Sequence, residues 1–435
     1  MSEPASSFSL LFAAVVALSF AVKLWLATRQ MRHVARHRDA VPPAFAGNVT
    51  LAAHRKAADY TLARGRLGVL TTTVGTAVLL GWTLLGGLDA LNVALRDALQ
   101  PRFGDMAYQL ALLVAFALIA SLIDLPFDLY HTFVLEHRYG FNRMTWRLYL
   151  ADAAKGLALA AVVGLPLAAL VLWIMGASGG LWWLWAWFVW MAFQLLVLVA
   201  YPTLIAPLFN RFEPLADEAL AARVKTLMAR CGFAAKGLFV MDGSRRSAHA
   251  NAYFTGLGAS KRVVFFDTLL AKLTPGEVEA VLAHELGHFK RRHVLQRIVV
   301  MFAVSLAALA LLGWLATQPW FYAGLGVAPN LDGAPNDALA LLLFSLALPP
   351  FTFLLAPLAA SLSRRHEFEA DAYACAQADG RDLASALLKL HQDNAATLTP
   401  DPVYVRFYYS HPPASERLAA LATLARRPAA APAAP

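Results

Sequence analysis

Residues 274–294 read TPGEVEAVLAHELGHFKRRHV, and the start of this stretch has the pattern of a helix N-terminus. Thr274 can cap the first turn, Pro275 suits the first helical position, and Glu277 completes a capping box with Thr274. Apolar residues then recur at helical spacing. The stretch therefore predicts a helix over residues 275–293.

Two histidines and a glutamate follow on this predicted helix in the order His-Glu-x-x-His. Because His284 and His288 are four residues apart, their imidazoles share one side of the helix and can reach one tetrahedral metal ion. Glu285 lies one step round, close enough to hold a water molecule at that metal. The structural alternative is a polar helix face without a metal, but the spacing favours a zinc site.

A catalytic zinc ion takes three protein ligands and leaves one position open for water. The stretch SRRHEFEADAYACAQADG, residues 363–380, offers acidic candidates on a second helix. Glu367 and Asp371 share a face of that helix, whereas Glu369 points away from it. We expect Glu367 to bind zinc and Asp371 to orient a ligand histidine through its free ring nitrogen. A solvated acidic face is the alternative.

The whole chain has the composition of a membrane protein. Of its 435 residues, 59% are hydrophobic and 15% are charged, whereas soluble domains are about 50% apolar and about 25% charged. Two isolated cysteines make neither a disulfide framework nor a cysteine metal site. The net charge of +9 forms no basic stripe with interleaved aromatic residues, which argues against nucleic acid as a partner.

Apolar runs long enough to cross a bilayer recur along the chain. They lie near residues 8–28, 67–91, 107–130, 157–176, 181–205, 295–317 and 338–362. The third run carries Asp124 and Asp128, and acidic residues inside a membrane usually face protein or water and mark function. The sequence thus predicts about seven transmembrane helices.

The loops between these runs differ in charge. Residues 28–66 and 131–156 are rich in Arg and Lys, whereas residues 176–180 and 318–337 contain neither. The positive-inside rule then puts the N-terminus outside and both long polar segments on the cytoplasmic side, where they can form one site. The predicted division is 1–205 for transmembrane helices 1–5, 206–294 for a soluble part with the zinc helix, 295–362 for transmembrane helices 6–7, 363–425 for a soluble part with the third ligand, and 426–435 for a disordered tail.

Residues 237–270 have strand patterns, which predict a small β-sheet beside the zinc helix. NAYFTG is the candidate edge strand for an extended substrate, and Asn251 would offer its amide to the substrate backbone, although a plain turn residue is an equal alternative. His411, held in extended backbone by the prolines that follow it, would stabilise the oxyanion with Arg417 as a helper. We expect no role in the site for His293, at the end of the zinc helix, or for His366.

Several stretches taken together resemble the type I CAAX prenyl endopeptidases, which are integral-membrane zinc metalloproteases. They are LPFDLYHTFVLEHRYGFNRMT (125–145), YPTLIAPLFNRFEPL (201–215), MDGSRRSAHANAYFTG (241–256), AHELGH (283–288), SRRHEFEADAYA (363–374) and YYSHPP (408–413). The resemblance implies a mainly α fold in which seven transmembrane helices surround a water-filled chamber, capped by a zincin-like domain with a small β-sheet.

The same resemblance implies roles for individual residues. The zinc ligands would be His284, His288 and Glu367, and the catalytic base would be Glu285. Asp371 would be the acidic partner in the Glu-x-x-Ala-Asp motif. In addition, Asn251 and His411 would contact the substrate.

The predicted protein is therefore a membrane metalloendopeptidase with one Zn²⁺ per chain, in which Glu285 moves a proton from water to the leaving amine. Its substrates would be peptides or proteins, lipidated ones included, cut near the C-terminus. Alternatives are a broad-specificity quality-control protease and a transporter that uses Asp124 and Asp128 with a structural zinc. A composition rich in Ala and Arg predicts a bacterial protein of the inner membrane, where prenylated native substrates are not expected.

Overall fold

Helices form most of the structure, a computed structural model that describes residues 2–233, 237–249, 252–255, 262–330 and 333–425. In chain order the helices are α1 (Glu3–Arg36), α2 (Leu51–Trp82), α3 (Gly87–Leu129), α4 (Trp146–Leu159), α5 (Leu165–Ala177), α6 (Trp182–Ala200), α7 (Ala206–Phe209), α8 (Glu218–Arg230), α9 (Asp267–Leu270), α10 (Pro275–Lys290), α11 (His293–Leu315), α12 (Pro319–Gly324), α13 (Asp337–Thr352), α14 (Ala356–Gln377), α15 (Gly380–Asp393), α16 (Pro402–Tyr408) and α17 (Ala414–Ala425). The strands are β1 (Phe212–Pro214), β2 (Gly237–Met241), β3 (Ala252–Thr255) and β4 (Arg262–Phe266).

Six helical stretches of the described residues are long and apolar enough to cross a membrane, which makes the chain a multi-pass membrane protein. They are Glu3–Arg36, Gly87–Glu136, Trp146–Ala177, Gly179–Phe209, His293–Leu315 and Asp337–Gln377. The run predicted near 67–91 is not among them. Its first part lies on α2, which ends at Trp82, and the chain turns before α3. Seven spans therefore stay a prediction.

Large apolar side chains cover the outside of these helices. Val162, Val304 and Leu358 are all exposed, as expected for surfaces in contact with lipid. The membrane half also has its own buried core, in which Phe12 of α1 and Tyr108 of α3 take part. Each helix thus packs one face against its neighbours and presents an apolar face on the outside.

The second half of the structure is built around a four-stranded mixed sheet in the order β1-β2-β4-β3. β1 pairs antiparallel with β2, β2 pairs parallel with β4, and β4 pairs antiparallel with β3. Helices α8, α10 and α15 bury their apolar faces in the core of this half. In the part of the chain that the structure describes, β3 has a strand partner on one side only, so the predicted edge strand is confirmed for residues 252–255.

The segment before β3 is tied to the membrane half. Arg246 makes a bidentate ion pair with Asp152 of α4, with nitrogen–oxygen distances of 2.9 and 3.0 Å. The Arg143 backbone N–H donates to the Arg246 carbonyl at 3.1 Å. These contacts fix the approach of the chain to the edge strand.

The zinc helix predicted over 275–293 is too long. Helix α10 ends at Lys290, Arg292 adopts a left-handed φ of 57°, and α11 begins at His293. The two arginines that carry the reversal have no turn signature, so apolar periodicity alone could not locate the break. As a result His293 begins a new helix instead of extending the old one.

The predicted capping box at the start of α10 is confirmed, and it gives Glu277 a pH-dependent role in stability. Burial opposes ionisation of Glu277, but hydrogen bonds from Lys389, Ser385 and the Thr274 backbone outweigh it and lower its pKa to about 2. The carboxylate therefore stabilises the fold at pH values above the unfolded pKa near 4.5. This contribution is lost as the pH falls from there toward the folded pKa.

We expect Glu277→Gln to lower stability at pH 7 by on the order of 2 kcal/mol. The midpoint of thermal unfolding of the purified protein measures the change. The difference in midpoint between variant and wild type should become smaller as the pH falls from 4.5 toward the folded pKa of about 2. Glu213→Gln, at an exposed position, is the matched control. An equal difference in midpoint at pH 7 and near the folded pKa would show that the ionised Glu277 carboxylate does not stabilise the fold.

Candidate metal centre

Close contact between α10 and α14 builds the site. Gly287 of α10 faces Ala370 of α14, and a Cβ at Gly287 would lie 3.0 Å from the Ala370 Cα and 3.1 Å from its carbonyl oxygen. Only a residue without a side chain allows this approach without displacement. It brings Glu367, one turn earlier on α14, between the two histidines of α10.

The three predicted ligands are brought together. One Glu367 carboxylate oxygen lies 3.4 Å from His284 Nε2 and the other lies 3.4 Å from His288 Nε2. Ligand atoms of the three residues all lie within 4.8 Å of one another. His284 and Glu367 are buried, and His288 is mostly so.

This donor set fits a divalent metal ion. Glu367 is only 1% exposed, and its buried Oε2 has no hydrogen-bond partner among the described residues. Arg417 Nη1 lies 3.7 Å from this oxygen, which is an ion-pair distance without a hydrogen bond, so the oxygen remains available to coordinate a metal cation. Two imidazoles and one carboxylate that face a cavity match a catalytic site with an open position for water.

The partners of His284 orient it for such an ion. Its Nδ1–H donates to Asp371 at 2.8 Å, which leaves Nε2 free to face Glu367. Arg417 in turn holds Asp371 through two hydrogen bonds of 2.8 and 2.5 Å. Burial would lower the pKa of His284, but its hydrogen bond to Asp371 and the Glu367 carboxylate 3.4 Å from Nε2 outweigh that effect and raise the pKa to about 9. A metal at Nε2 must therefore displace a proton.

His288 has a different partner, which the sequence did not reveal. Its Nδ1 lies 3.0 Å from Nδ1 of His293, and Nε2 of His293 lies 3.1 Å from Glu369. When His293 donates to Glu369, its Nδ1 accepts from His288, so Nε2 of His288 faces the metal position. His293 is buried and stacks on His366 at 4.0 Å.

The expectation that His293 and His366 play no part in the site is therefore wrong for His293. Glu369 does point away from the ligand group, as predicted, but it reaches that group through His293. No sequence signal marks the break at Arg292, which brings the start of α11 to the end of α10.

A cavity of about 380 Å³ opens in front of the three ligands. Glu285 lines it next to the ligand histidines, and Ala252 at the start of β3 lines another wall. His411 also lines it, with its Nε2 3.4 Å from Glu367. The edge strand, the glutamate and the ligand group thus face one space that can hold an extended peptide.

The remaining predicted residues have mixed outcomes. Arg417, expected to help at the oxyanion, is buried with its guanidinium bound to Asp371, so its main contact supports a ligand histidine. Asn251 lies outside the described residues. Asp128 accepts a hydrogen bond from Tyr149 at 2.6 Å, and neither it nor Asp124 lines the cavity at the ligands.

Comparisons with known proteins cover nearly the whole chain. Residues 30–211 match the family model described as CAAX prenyl protease N-terminal, five membrane helices. Residues 214–425 match peptidase family M48. The first model therefore covers the candidate spans between residues 87 and 209, and the second covers the ligand group together with the two candidate spans His293–Leu315 and Asp337–Gln377.

Individual relatives give the same picture. CAAX prenyl protease 1 of Saccharomyces cerevisiae is 31% identical, over 97% of this chain and 96% of its own length. The CAAX prenyl protease 1 homologs of Homo sapiens and Arabidopsis thaliana are 31% and 36% identical and cover 95% and 74% of this chain. The crystal structure of S. mikatae Ste24p matches with a TM-score of 0.89 and 30% identity, over 95% of this chain and 99% of that chain.

Proposed function

The chain belongs to the CAAX prenyl protease family of M48 peptidases and is a membrane metalloendopeptidase, and from this premise we propose that it is a zinc enzyme that cuts prenylated or similarly lipidated substrates near their C-terminus. One observation carries the proposal: a buried carboxylate oxygen of Glu367 without a hydrogen-bond partner lies between His284 and His288, in a cavity beside an edge strand. The curated relatives are named CAAX prenyl proteases, which supports the substrate class.

In the proposed site His284, His288 and Glu367 hold one zinc ion. A bound zinc ion supplies Lewis-acid polarisation of the scissile carbonyl and makes water more acidic. Glu285, which lines the cavity beside the ligands, takes a proton from the attacking water and delivers it to the leaving amine. His411 donates a hydrogen bond to the oxyanion of the tetrahedral intermediate.

The other residues of the site position these groups. Asp371 holds His284 and is itself held by Arg417, which keeps Nε2 of the imidazole toward the metal. The substrate pairs with β3 as an additional strand of the sheet. Asn251, which precedes β3 in sequence, binds the backbone of that substrate strand.

We also propose the finer topology predicted from loop charge. The N-terminus lies outside, and the metal centre faces the cytoplasm. Helix α2 is the additional span, second in chain order, and with it residues 30–211 hold four complete spans and the end of α1, against five membrane helices in the description of the family model. The seven helices surround a chamber, and the soluble parts 206–294 and 363–425 close it. The eukaryotic relatives give no support to the bacterial source predicted from composition.

The test uses detergent-purified wild-type protein, a farnesylated C-terminal peptide and its unlipidated twin. We expect one zinc per chain by elemental analysis and cleavage of the farnesylated peptide at least about tenfold faster, because burial of a lipid chain adds about 0.8 kcal/mol per methylene. Equal cleavage of both peptides would indicate a broad-specificity protease. Zinc without cleavage of either peptide would contradict the proposed substrate class.

A further inference from the structure

A small cavity lies at the end of α1, separate from the metal centre. Its volume is about 250 Å³, and its walls come from one side of α1 and from Asp401, which caps α16. The residues of α1 that line it are Trp25, Thr28, Arg29, Arg32, His33 and Arg36. None of these residues lines the cavity at the metal ligands.

The cavity lies where α1 leaves its apolar sequence. The apolar run near residues 8–28 ends immediately before Arg29, and Glu3–Arg36 is one of the six candidate spans. Trp25 is 52% exposed, and its ring centre lies 5.6 Å from the Arg29 guanidinium. Tryptophan is enriched at the boundary between the hydrocarbon and the lipid headgroups. We therefore place the cavity at the level of the headgroups.

Positive charge is in excess around this cavity. Of the described residues that line it, three are arginines and only Asp401 is a carboxylate. Asp401 is 1% exposed, and its Oδ1 accepts a hydrogen bond from Arg29 Nε at 2.9 Å. The same oxygen accepts the backbone N–H groups of Val403 and Tyr404, both at 3.0 Å. The carboxylate is thus already engaged, and it leaves the other two arginines without a counter-charge.

These two residues, Arg32 and Arg36, differ from the next arginine of the chain. Arg38 binds both oxygens of Asp59, at 2.6 and 2.9 Å. Arg32 and Arg36 are exposed, and neither makes an ion pair or a side-chain hydrogen bond with any described residue. Their spacing from Arg29 puts all three on one face of α1. Loop charge alone can orient a chain in the membrane, but it does not require open guanidinium groups around one cavity.

We propose that this cavity binds the phosphate of an anionic lipid headgroup. The hydrogen bond of Arg29 to Asp401 uses Nε, so its terminal nitrogens can meet a second anion together with Arg32 and Arg36. The planar guanidinium group matches phosphate oxygens in geometry and forms charge-assisted hydrogen bonds with them. Basic residues directly beyond a membrane helix attract anionic lipids. The site depends neither on the metal nor on the substrate class.

A bound headgroup would hold α1 against α16. Arg29 would then contact both the phosphate and Asp401, and the Asp401 backbone N–H already donates to Gln30 of α1 at 2.7 Å. The chain leads from α16 directly to His411, which lines the cavity at the metal ligands. Because the lipid binds at the junction of α1 and α16, it should stabilise the folded protein.

The test follows thermal unfolding of the purified full chain in detergent micelles with added phosphatidylglycerol or phosphatidylcholine. We expect phosphatidylglycerol to raise the midpoint of unfolding and phosphatidylcholine to leave it nearly unchanged. The apparent affinity from a phosphatidylglycerol titration should fall about fivefold or more in Arg32→Gln and in Arg36→Gln, and about 25-fold or more in the double variant. Equal midpoints with both lipids in wild type, or an unchanged affinity in the double variant, would overturn the site.

The matched control is the double variant Arg66→Gln with Arg147→Gln. Both are exposed arginines that do not line this cavity, and together they remove the same charge. This control should keep the wild-type affinity for the lipid. Arg32→Lys with Arg36→Lys keeps the charge and should restore part of the affinity that the glutamine variant loses. An equal loss in the control would show a general effect of surface charge and would count against the proposal.

A soluble-phosphate arm separates two sources of the same chemistry. Inorganic phosphate should raise the midpoint of unfolding much less than phosphatidylglycerol does, because it lacks the acyl chains that keep a lipid at the level of the cavity. The midpoint in phosphatidylcholine should be the same for wild type and for the Arg32 and Arg36 variants, which shows that the fold is intact. Stabilisation by inorganic phosphate equal to that by phosphatidylglycerol would overturn the lipid as the ligand.

Discussion

Replacement of Glu285 by Gln should abolish peptide hydrolysis and leave the bound metal in place. The amide has nearly the shape of the carboxylate but cannot accept a proton from water, and a positioned general base contributes about 10² to 10⁴ in rate. His284, His288 and Glu367 are unchanged in this variant, so zinc per chain should equal that of wild type. Elemental analysis and a farnesylated-peptide assay on the same preparation measure both quantities.

The control for this variant lies on the same helix. Glu279 makes ion pairs with Arg223 and Arg230 outside the cavity, so Glu279→Gln removes the same charge without touching the ligand group. We expect it to keep most of the wild-type turnover. Hydrolysis by Glu285→Gln near the wild-type rate would rule out Glu285 as the base.

Replacement of Glu367 by Ala should remove the metal itself. Glu367 is the only acid in the three-residue group, and without it the two imidazoles keep no negative partner for a divalent cation. Loss of a residue that only orients a metal ligand lowers metal affinity by about 10–100-fold. We therefore expect loss of a ligand itself to lower it by more than about 100-fold. Competition with a zinc chelator of known affinity measures the change.

Glu369→Ala provides a graded control two residues along the same helix. Glu369 reaches the group only through its contact with His293, so this variant should retain zinc with an affinity lower by about 10–100-fold at most. Metal loss in Glu369→Ala, with full retention in Glu367→Ala, would show that the register of α14 in the site is wrong.

The features that depend on neighbours in sequence could be predicted. Thr274 and Glu277 form the expected capping box, and His284 and His288 share a face because their spacing matches one helical turn. The same periodicity identified Glu367 as the third member of the group and Asp371 as the partner of His284. The placement of each residue on its helix face is local, whereas the meeting of the two faces depends on the packing of α10 against α14.

The features that depend on how separate elements meet could not be predicted. The contact of His293 with His288 requires the left-handed residue Arg292, which carries no glycine or asparagine signature. The burial of Arg417 against Asp371 joins residues on two helices that no local pattern relates. The sequence predicted about seven spans, whereas the described residues form six candidate spans, because the run predicted near 67–91 crosses the turn between α2 and α3.

The position of Glu367 on α14 makes the metal a cross-link between distant parts of the chain. His288 precedes α11 and α13, and Glu367 follows them, so a bound ion closes a loop of roughly 80 residues that includes two membrane crossings. During synthesis the histidine pair emerges first and stays without its third ligand until both crossings have been made. Metal capture is therefore a late event of assembly, and it fastens one end of a membrane hairpin to the half of the chain that carries the sheet.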